Sequence, residues 1–147
     1  MDGRRLRRIA GRHRRRVRWR DPVRLLLDSH ALLWWLNDDT RLSHEARRAI
    51  ADPESSVFVS AATVWEIAIK INAGKLRTPG PFDEALEASR FQTLPITARH
   101  ALVAGQLPKV HGDPFDRMLI AQAQTESLTL VTRDRAIQEY GITFLPA

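Results

Sequence analysis

One segment organises this chain: His111-Gly112-Asp113-Pro114-Phe115-Asp116-Arg117-Met118-Leu119-Ile120-Ala121-Gln122-Ala123. A helix is predicted to begin here, because Asp113 suits the N-cap, Pro114 suits the first helical position, and the following apolar residues recur at helical spacing. Asp116 then falls in the first turn, where exposed backbone N–H groups and the helix dipole keep a carboxylate ionised. Such a carboxylate is suited to bind a cation, although capping alone would also explain both aspartates.

The composition predicts one globular domain. The chain has 147 residues, of which 44% are hydrophobic, enough for one core and too few for two. It has no cysteine, which excludes disulfides and thiolate metal sites and fits a reducing compartment. No apolar run approaches the ~20 residues of a membrane helix, and no secretory signal is recognisable. We therefore expect a cytoplasmic protein without a membrane partner.

The net charge of +6 is concentrated at the N-terminus. Residues 1–22 hold ten arginines against two aspartates, a charge of +8, while the remainder holds 13 basic and 15 acidic side chains, a charge of −2. A block of like charges with so few apolar residues predicts disorder in isolation. We therefore divide the chain into an Arg-rich extension, 1–22, and a globular domain, 23–147.

Three interpretations of residues 1–22 stay open. The segment is an RNA-binding arm, because arginines neutralise phosphates of any sequence, or an organellar transit peptide, although it has no serine. Alternatively it is a misassigned start of the reading frame, with the true start near Val23.

Beyond residue 22, predicted strands alternate with predicted helices. The strands are at residues 23–27, 57–60, 92–96, 129–132 and 142–145, and the helices at 31–36, 43–52, 62–73, 81–90, 97–105, from 114 onward and at 134–140. Alternation implies right-handed crossovers and parallel pairing. We predict an α/β fold with three layers, in which helices cover both faces of a four- to five-stranded, mainly parallel sheet.

Glu66 lies on the helix that leaves the second strand. Val64, Ile67, Ala68 and Ile71 form an apolar stripe on that helix, which we expect to face the sheet. Glu66 stands beside the stripe in the second turn. Helical side chains tilt toward the N-terminus, so a glutamate here can lean back to the carboxyl edge of the sheet.

Three aspartates are expected at the same edge. Asp28 ends the first strand, and Asp134 lies just beyond the fourth. The helix of Asp116 runs antiparallel to the fourth strand, so its N-terminus also lies there. Ligands of open parallel sheets bind at this edge, where the strand order reverses.

Converging carboxylates require a cation. Two of them ~4 Å apart repel by about 4 kcal/mol at an effective dielectric constant near 20. With no cysteine and no His-x-x-x-His pair, oxygen ligation favours Mg²⁺ or Mn²⁺ over zinc. Such ions polarise a phosphate and lower the pKa of a bound water, which is the chemistry of phosphodiester hydrolysis.

Four segments resemble the motifs of PIN-domain ribonucleases, most closely those of VapC-type toxins: Leu-Leu-Leu-Asp-Ser-His-Ala-Leu-Leu-Trp-Trp-Leu at 25–36, Ser-Ala-Ala-Thr-Val-Trp-Glu-Ile-Ala-Ile-Lys at 60–70, the organising segment at 111–123, and Val-Thr-Arg-Asp at 131–134. They occur in order and at family-like spacing over about residues 23–147. Residues 1–22 depart from the pattern, because this family normally begins almost at the first strand.

The resemblance implies a PIN-like nuclease domain at 23–147 and a Mg²⁺-dependent endoribonuclease. Such toxins often act on structured RNA, commonly form homodimers and are silenced by a cognate antitoxin. The catalytic and metal-binding quartet carries over to Asp28, Glu66, Asp116 and Asp134, with Asp113 as a cap or outer support.

Supporting roles are predicted for three more residues. Arg117 and Arg133 contact RNA phosphate or orient the carboxylates, with an ordinary surface ion pair as the alternative for each. Thr132 hydrogen-bonds a metal-bound water, or is simply a strand residue. His111 is predicted to be a loop residue, and Ser29 lacks the Gly-x-Ser-x-Gly turn of a serine nucleophile.

Two other functions remain open on the same scaffold. A phosphoacceptor or phosphatase domain also gathers aspartates at this edge, but Asp28 is not followed by a second aspartate two residues on. A catalytically inactive module that binds RNA or protein would keep the scaffold, although the intact quartet favours an enzyme.

Overall fold

The computed structural model describes residues 23–109 and 112–147. The predictions for residues 1–22 and for His111 lie outside this part of the chain.

The described chain folds into five strands and seven helices. In order they are β1 (Arg24–Leu27), α1 (Ser29–Leu36), α2 (His44–Ala51), β2 (Ser56–Ser60), α3 (Ala61–Asn72), α4 (Phe82–Ser89), β3 (Gln92–Leu94), α5 (Ala98–Gln106), α6 (Pro114–Glu126), β4 (Thr129–Thr132), α7 (Arg135–Gln138) and β5 (Phe144–Pro146). Every predicted element is present. The last strand begins two residues later than predicted. Helix α7 ends at Gln138, earlier than predicted, and a turn leads from it to Gly141, which has φ 71°.

The five strands are parallel and lie in the order β3-β2-β1-β4-β5. β1 occupies the centre, where Leu25 is in register with Val57 of β2 on one side and with Thr129 of β4 on the other. The chain extends the sheet first in one direction from β1 and then in the other. The strand order therefore reverses at β1, and the predicted ligand-binding edge lies beyond its carboxyl end.

Alternate side chains of β1 belong to two separate cores. Leu25 and Leu27 pack in the core formed with α1, α2, α3 and α4. Leu26 points to the opposite face and packs with Leu119 and Ile120 of α6 and with Ile137 of α7. All three leucines of β1 are completely buried, as expected for a central parallel strand. The predicted three-layer α/β fold is confirmed.

The buried face of α3 differs from the predicted stripe. Ile67 is fully buried, but Ala68 is exposed, whereas Thr63 and Glu66 are buried. The reason is that α3 packs against α6 and α1 as well as against the sheet. The buried face of α3 therefore includes Glu66, whose side chain lies inside the protein.

No helix in the described ranges combines the length and the apolar character needed to span a bilayer.

Candidate active site

The four predicted acids line one cavity of about 400 Å³ at the carboxyl edge of the sheet. The residues that line it are Asp28, Ser29, His30, Trp34, Glu66, Lys70, Asp113, Asp116, Arg133 and Asp134. The structure thus brings together residues from four separate parts of the chain. Asp113 and Arg133, predicted to be supporting residues, lie in the same cavity.

Asp28 stands at the end of the central strand and is the N-cap of α1. Its Oδ1 accepts a hydrogen bond of 2.8 Å from the Ala31 N–H, and the Thr132 hydroxyl also hydrogen-bonds its side chain. Its own N–H donates to the Val131 carbonyl oxygen at 3.1 Å, which ties the end of β1 to β4. Only 5% of Asp28 is exposed. Two hydrogen bonds therefore orient the carboxylate, and the backbone beneath it is fixed as well.

Burial raises the pKa of the Asp28 carboxyl above its ordinary value of 3.8. The hydrogen bonds from Ala31 and Thr132 and the nearby charge of His30 oppose this effect, while the charge of Glu66 adds to it. A buried carboxylate beside another carboxylate is costly unless a positive charge accompanies it. The electrostatics at Asp28 thus favour the uptake of a cation.

Glu66 enters the cavity from the second turn of α3. It is 8% exposed, and its Oε2 lies 3.6 Å from the Lys70 ammonium one turn further along the helix. The predicted lean of Glu66 toward the carboxyl edge agrees with its place in the cavity lining.

Asp113 and Asp116 hold the two positions at the start of α6 that the sequence assigned to them. Asp113 is the N-cap, and its Oδ1 accepts hydrogen bonds from the N–H groups of Phe115 at 2.8 Å and Asp116 at 3.4 Å. Asp116 occupies the first turn. Both line the cavity, so Asp113 combines its cap with a place at the site.

Thr132 connects two of the acids. Its hydroxyl oxygen accepts a hydrogen bond of 3.1 Å from the Asp134 N–H, and the same side chain hydrogen-bonds Asp28. Asp134 in turn caps α7, accepting a bond of 2.9 Å from the Ala136 N–H on Oδ1. Thr132 is fully buried. The structure thus gives this threonine a positioning role in the protein itself.

Arg133 forms part of the cavity wall and is held rigidly. Its Nε donates to the Ala147 carbonyl oxygen at 3.1 Å, and its Nη2 donates to the Arg41 carbonyl oxygen at 2.7 Å. The guanidinium also lies 4.6 Å from the centre of the Trp34 ring. A fixed cation at the edge of an acidic cavity suits the predicted contact with phosphate.

Arg117 is directed away from the cavity lining. Its guanidinium donates to the carbonyl oxygens of Ala104 at 3.0 Å, Leu107 at 2.7 Å and Pro108 at 3.0 Å. The first two carbonyls belong to the last turn and the C-cap of α5, where helical oxygens lack intrahelical partners, and Pro108 follows the cap. In this structure Arg117 joins α6 to the end of α5 and the loop that follows it.

We predict that Arg117→Ala lowers the free energy of unfolding by about 2 kcal/mol, because hydrogen bonds to charged groups are among the stronger ones. Urea unfolding would measure the loss, with Arg99→Ala on the exposed face of α5 as the control. RNA affinity should change little at temperatures where the variant is folded. A large fall in affinity with unchanged stability would instead identify Arg117 as a phosphate contact.

Sequence analysis assigned no site role to four residues of the cavity lining, which are Ser29, His30, Trp34 and Lys70. Lys70 follows Glu66 by four residues, a spacing that signals an ion pair but not its direction. His30 and Trp34 lie on α1, an apolar helix whose sequence alone does not indicate a site. The ring centres of His30 and Trp34 lie 5.6 Å apart.

The cavity offers oxygen donors that fit a partly hydrated divalent cation. Within residues 23–109 and 112–147, no three His, Asp or Glu side chains are close enough to form a complete ligand cluster. Mg²⁺, however, commonly keeps several waters and binds through one or two carboxylates. Five carboxylates around one cavity, without sulfur, match this preference for hard oxygen ligands.

Comparisons with known proteins agree with this geometry. The family model of the PIN domain matches residues 25–142. Ribonuclease VapC22 of Mycobacterium tuberculosis is 33% identical over 119 residues, which cover 79% of this chain and 91% of the relative.

Solved structures of similar fold include VapBC2 from Rickettsia felis bound to a DNA fragment from its promoter, with a TM-score of 0.62 at 14% identity, covering 84% of this chain and 97% of that one. DNA-bound VapBC from Salmonella typhimurium gives 0.59 at 20% identity, covering 83% and 96%. At these identities the likeness concerns the fold.

Proposed function

Since this chain belongs to the PIN domain family, and within it to the VapC-type ribonucleases, we propose that it is an endoribonuclease acting as the toxin of a toxin–antitoxin pair. The observation that carries this proposal is the cavity at the carboxyl edge, which Asp28, Glu66, Asp116 and Asp134 all line. Several carboxylate oxygens around one cavity can bind a hard divalent cation, and such a cation promotes phosphodiester hydrolysis.

The quartet holds Mg²⁺ in this proposal, with Mn²⁺ as a second suitable ion. When bound, the cation supplies Lewis-acid activation of the phosphate and of a water molecule. Hydrolysis joins the water oxygen to phosphorus, breaks one P–O ester bond and leaves the proton on the departing oxygen. Thr132 contributes by fixing Asp28 and the backbone of Asp134 together, which sets the relative position of two acids from adjacent strands.

The proposed partners are RNA, a cognate antitoxin and a second copy of the chain. A small groove between α1 and α4, lined by Leu33, Leu36, Phe82 and Ala85 among others, offers the antitoxin an apolar surface. Exposed large apolar side chains mark faces suited to a homodimer, notably Trp65 on α3, at 63% exposure, and Leu102 on α5, at 66%.

Because the proposed substrate is RNA, we place the protein in the cytoplasm.

Metal dependence is the direct test of the proposed chemistry. Incubation with a mixed RNA pool in Mg²⁺ should yield defined new RNA ends. EDTA should lower the rate at least about 1,000-fold, since the metal contributes several kcal/mol of transition-state stabilisation. Added Mg²⁺ should restore the rate, and a concentration 100 times the Kd should stabilise the fold by about 2.7 kcal/mol.

Two outcomes would contradict this assignment. Full cleavage in EDTA would show that the quartet works without a cation. RNA that is bound but never cut, in Mg²⁺ or Mn²⁺, would indicate a binding module on the same scaffold.

Expression with and without the neighbouring upstream gene, followed by mapping of RNA ends, tests the antitoxin: cleavage should occur only when the chain is expressed alone.

A further inference from the structure

Lys70 is the basic side chain of α3 that reaches the acidic cavity. Its ammonium lies 3.6 Å from Oε2 of Glu66, which is longer than the ~2.7–2.9 Å of a charge-assisted hydrogen bond. The Lys70 side chain is 46% exposed, and that of Glu66 is 10% exposed. An ion pair of this length whose ammonium is half exposed to water contributes little to stability. Stabilisation of α3 therefore does not account for a lysine at this position.

The charges around the cavity give Lys70 another use. Five carboxylates and two permanent cations, Lys70 and Arg133, line the cavity. An RNA strand carries a negative charge on every phosphate, so it meets repulsion on entering unless basic groups stand near its path. Even with a divalent cation bound, the carboxylates outnumber the positive charges. Each cation in the wall therefore reduces the repulsion that a polyanion meets on entering.

The two cations lie on different sides of the central strand. Lys70 is on the helix that follows β2, whereas Arg133 follows β4, and β1 lies between those strands. Arg133 is already held by two carbonyl oxygens and the Trp34 ring. Among the described residues, the ammonium of Lys70 makes one ion pair only, to Glu66. An ammonium has three donors on a flexible stem, so Lys70 retains donors for a ligand.

We propose that Lys70 binds a non-bridging oxygen of an RNA phosphate at the cavity, opposite Arg133 across the end of β1. This inference rests on the nuclease function proposed above and extends it to substrate recognition. Lys70 is then a substrate-binding residue, and its pair with Glu66 keeps the ammonium at the cavity mouth before RNA arrives.

Salt-dependent RNA binding tests the proposal without any cleavage. A labelled single-stranded RNA of mixed sequence is titrated with protein in EDTA at several KCl concentrations. Each phosphate contact contributes about 0.7 to the slope of log K against log salt for single strands. Lys70→Gln should reduce the slope by about that amount and weaken binding about tenfold. Lys70→Arg should restore the slope, because it keeps the charge.

The control variant is Lys75→Gln. Lys75 is exposed just beyond the end of the same helix and is not among the cavity-lining residues. The Lys75→Gln substitution removes the same charge from the same region of the protein and should leave the slope of log K against log salt unchanged. Equal losses in the two variants would mean general attraction between RNA and a basic surface, which would overturn the proposal.

A second measurement separates phosphate binding from a role through Glu66. Lys70→Gln is compared in the native chain and in a Glu66→Gln background. If Lys70 contacts phosphate, its loss weakens RNA binding in both. If the loss has no effect once Glu66 is neutral, Lys70 serves only its carboxylate partner, and the proposal fails. Because binding is measured in EDTA, the result does not depend on cleavage, which the metal experiment tests by itself.

Discussion

Asp28→Asn is expected to reduce RNA cleavage at least about 1,000-fold, because a neutral amide contributes no charge to cation binding or transition-state stabilisation. The same variant should melt at a higher temperature than the native protein in metal-free buffer at neutral pH. Asparagine is as good an N-cap as aspartate, so the hydrogen bond from the Ala31 N–H is kept while the charge is lost.

The pH dependence of stability follows from the raised pKa of Asp28. Burial raises the pKa of this carboxyl in the folded protein above its ordinary value of 3.8, which also holds in the unfolded chain. Between the pKa in the unfolded chain and the higher pKa in the folded protein, the folded state binds the proton more tightly than the unfolded chain does. The free energy of unfolding therefore falls as the pH rises through this window. Above the folded pKa the destabilisation is complete. Asp28→Asn should lack this component, and melting curves across acidic to neutral pH would show it.

Asp83→Asn is the matched control for Asp28→Asn. Asp83 is an exposed residue in the first turn of α4 and does not line the cavity. It should leave cleavage unchanged. A marked loss of melting temperature in Asp28→Asn would show that the ionised carboxylate stabilises the fold, contrary to our expectation.

Two acids three residues apart should respond very differently to the same substitution. Asp116→Asn is expected to abolish cleavage, with a loss of at least about 1,000-fold. Asp113→Asn should lose about tenfold or less, because asparagine can still accept the bonds from the Phe115 and Asp116 N–H groups. Initial rates in saturating Mg²⁺ compare the two variants.

Asp113→Ala completes this comparison by removing the cap. It should lower the free energy of unfolding by about 1 kcal/mol, measured by urea unfolding, whereas Asp113→Asn should not change it. Equal losses of cleavage in Asp113→Asn and Asp116→Asn would make Asp113 a fifth ligand of the cation.

The fold was predictable because the sequence signals are local. Apolar runs mark buried strands such as 25–27, which are fully buried as expected. Caps mark helix starts, and Ser43, Thr97 and Asp113 each accept a hydrogen bond from the helix that follows. Strand ends depend on pairing partners elsewhere in the chain, which explains why β3 is shorter and β5 later than the pattern suggested.

The convergence of the acids was predictable for a topological reason. Parallel strands place the residues that follow them at one edge, so Asp28 and Asp134 had to be neighbours once the sheet formed. The direction of a long side chain could not be predicted in this way, because it depends on partners that are distant in the sequence. Arg117 finds its acceptors at the end of α5, and Lys70 turns toward a cavity that no single helix defines.

The pairing of β1 with β4 also sets when the acidic cavity can form during synthesis. These strands come from nearly opposite ends of the described chain, and contacts between such distant segments form late. During translation, a nascent chain carries Asp28 and Glu66 long before β4 emerges to bring Asp134 beside them. An unfinished copy on the ribosome therefore lacks the complete acidic cavity, which is closed only when synthesis of the domain is nearly finished.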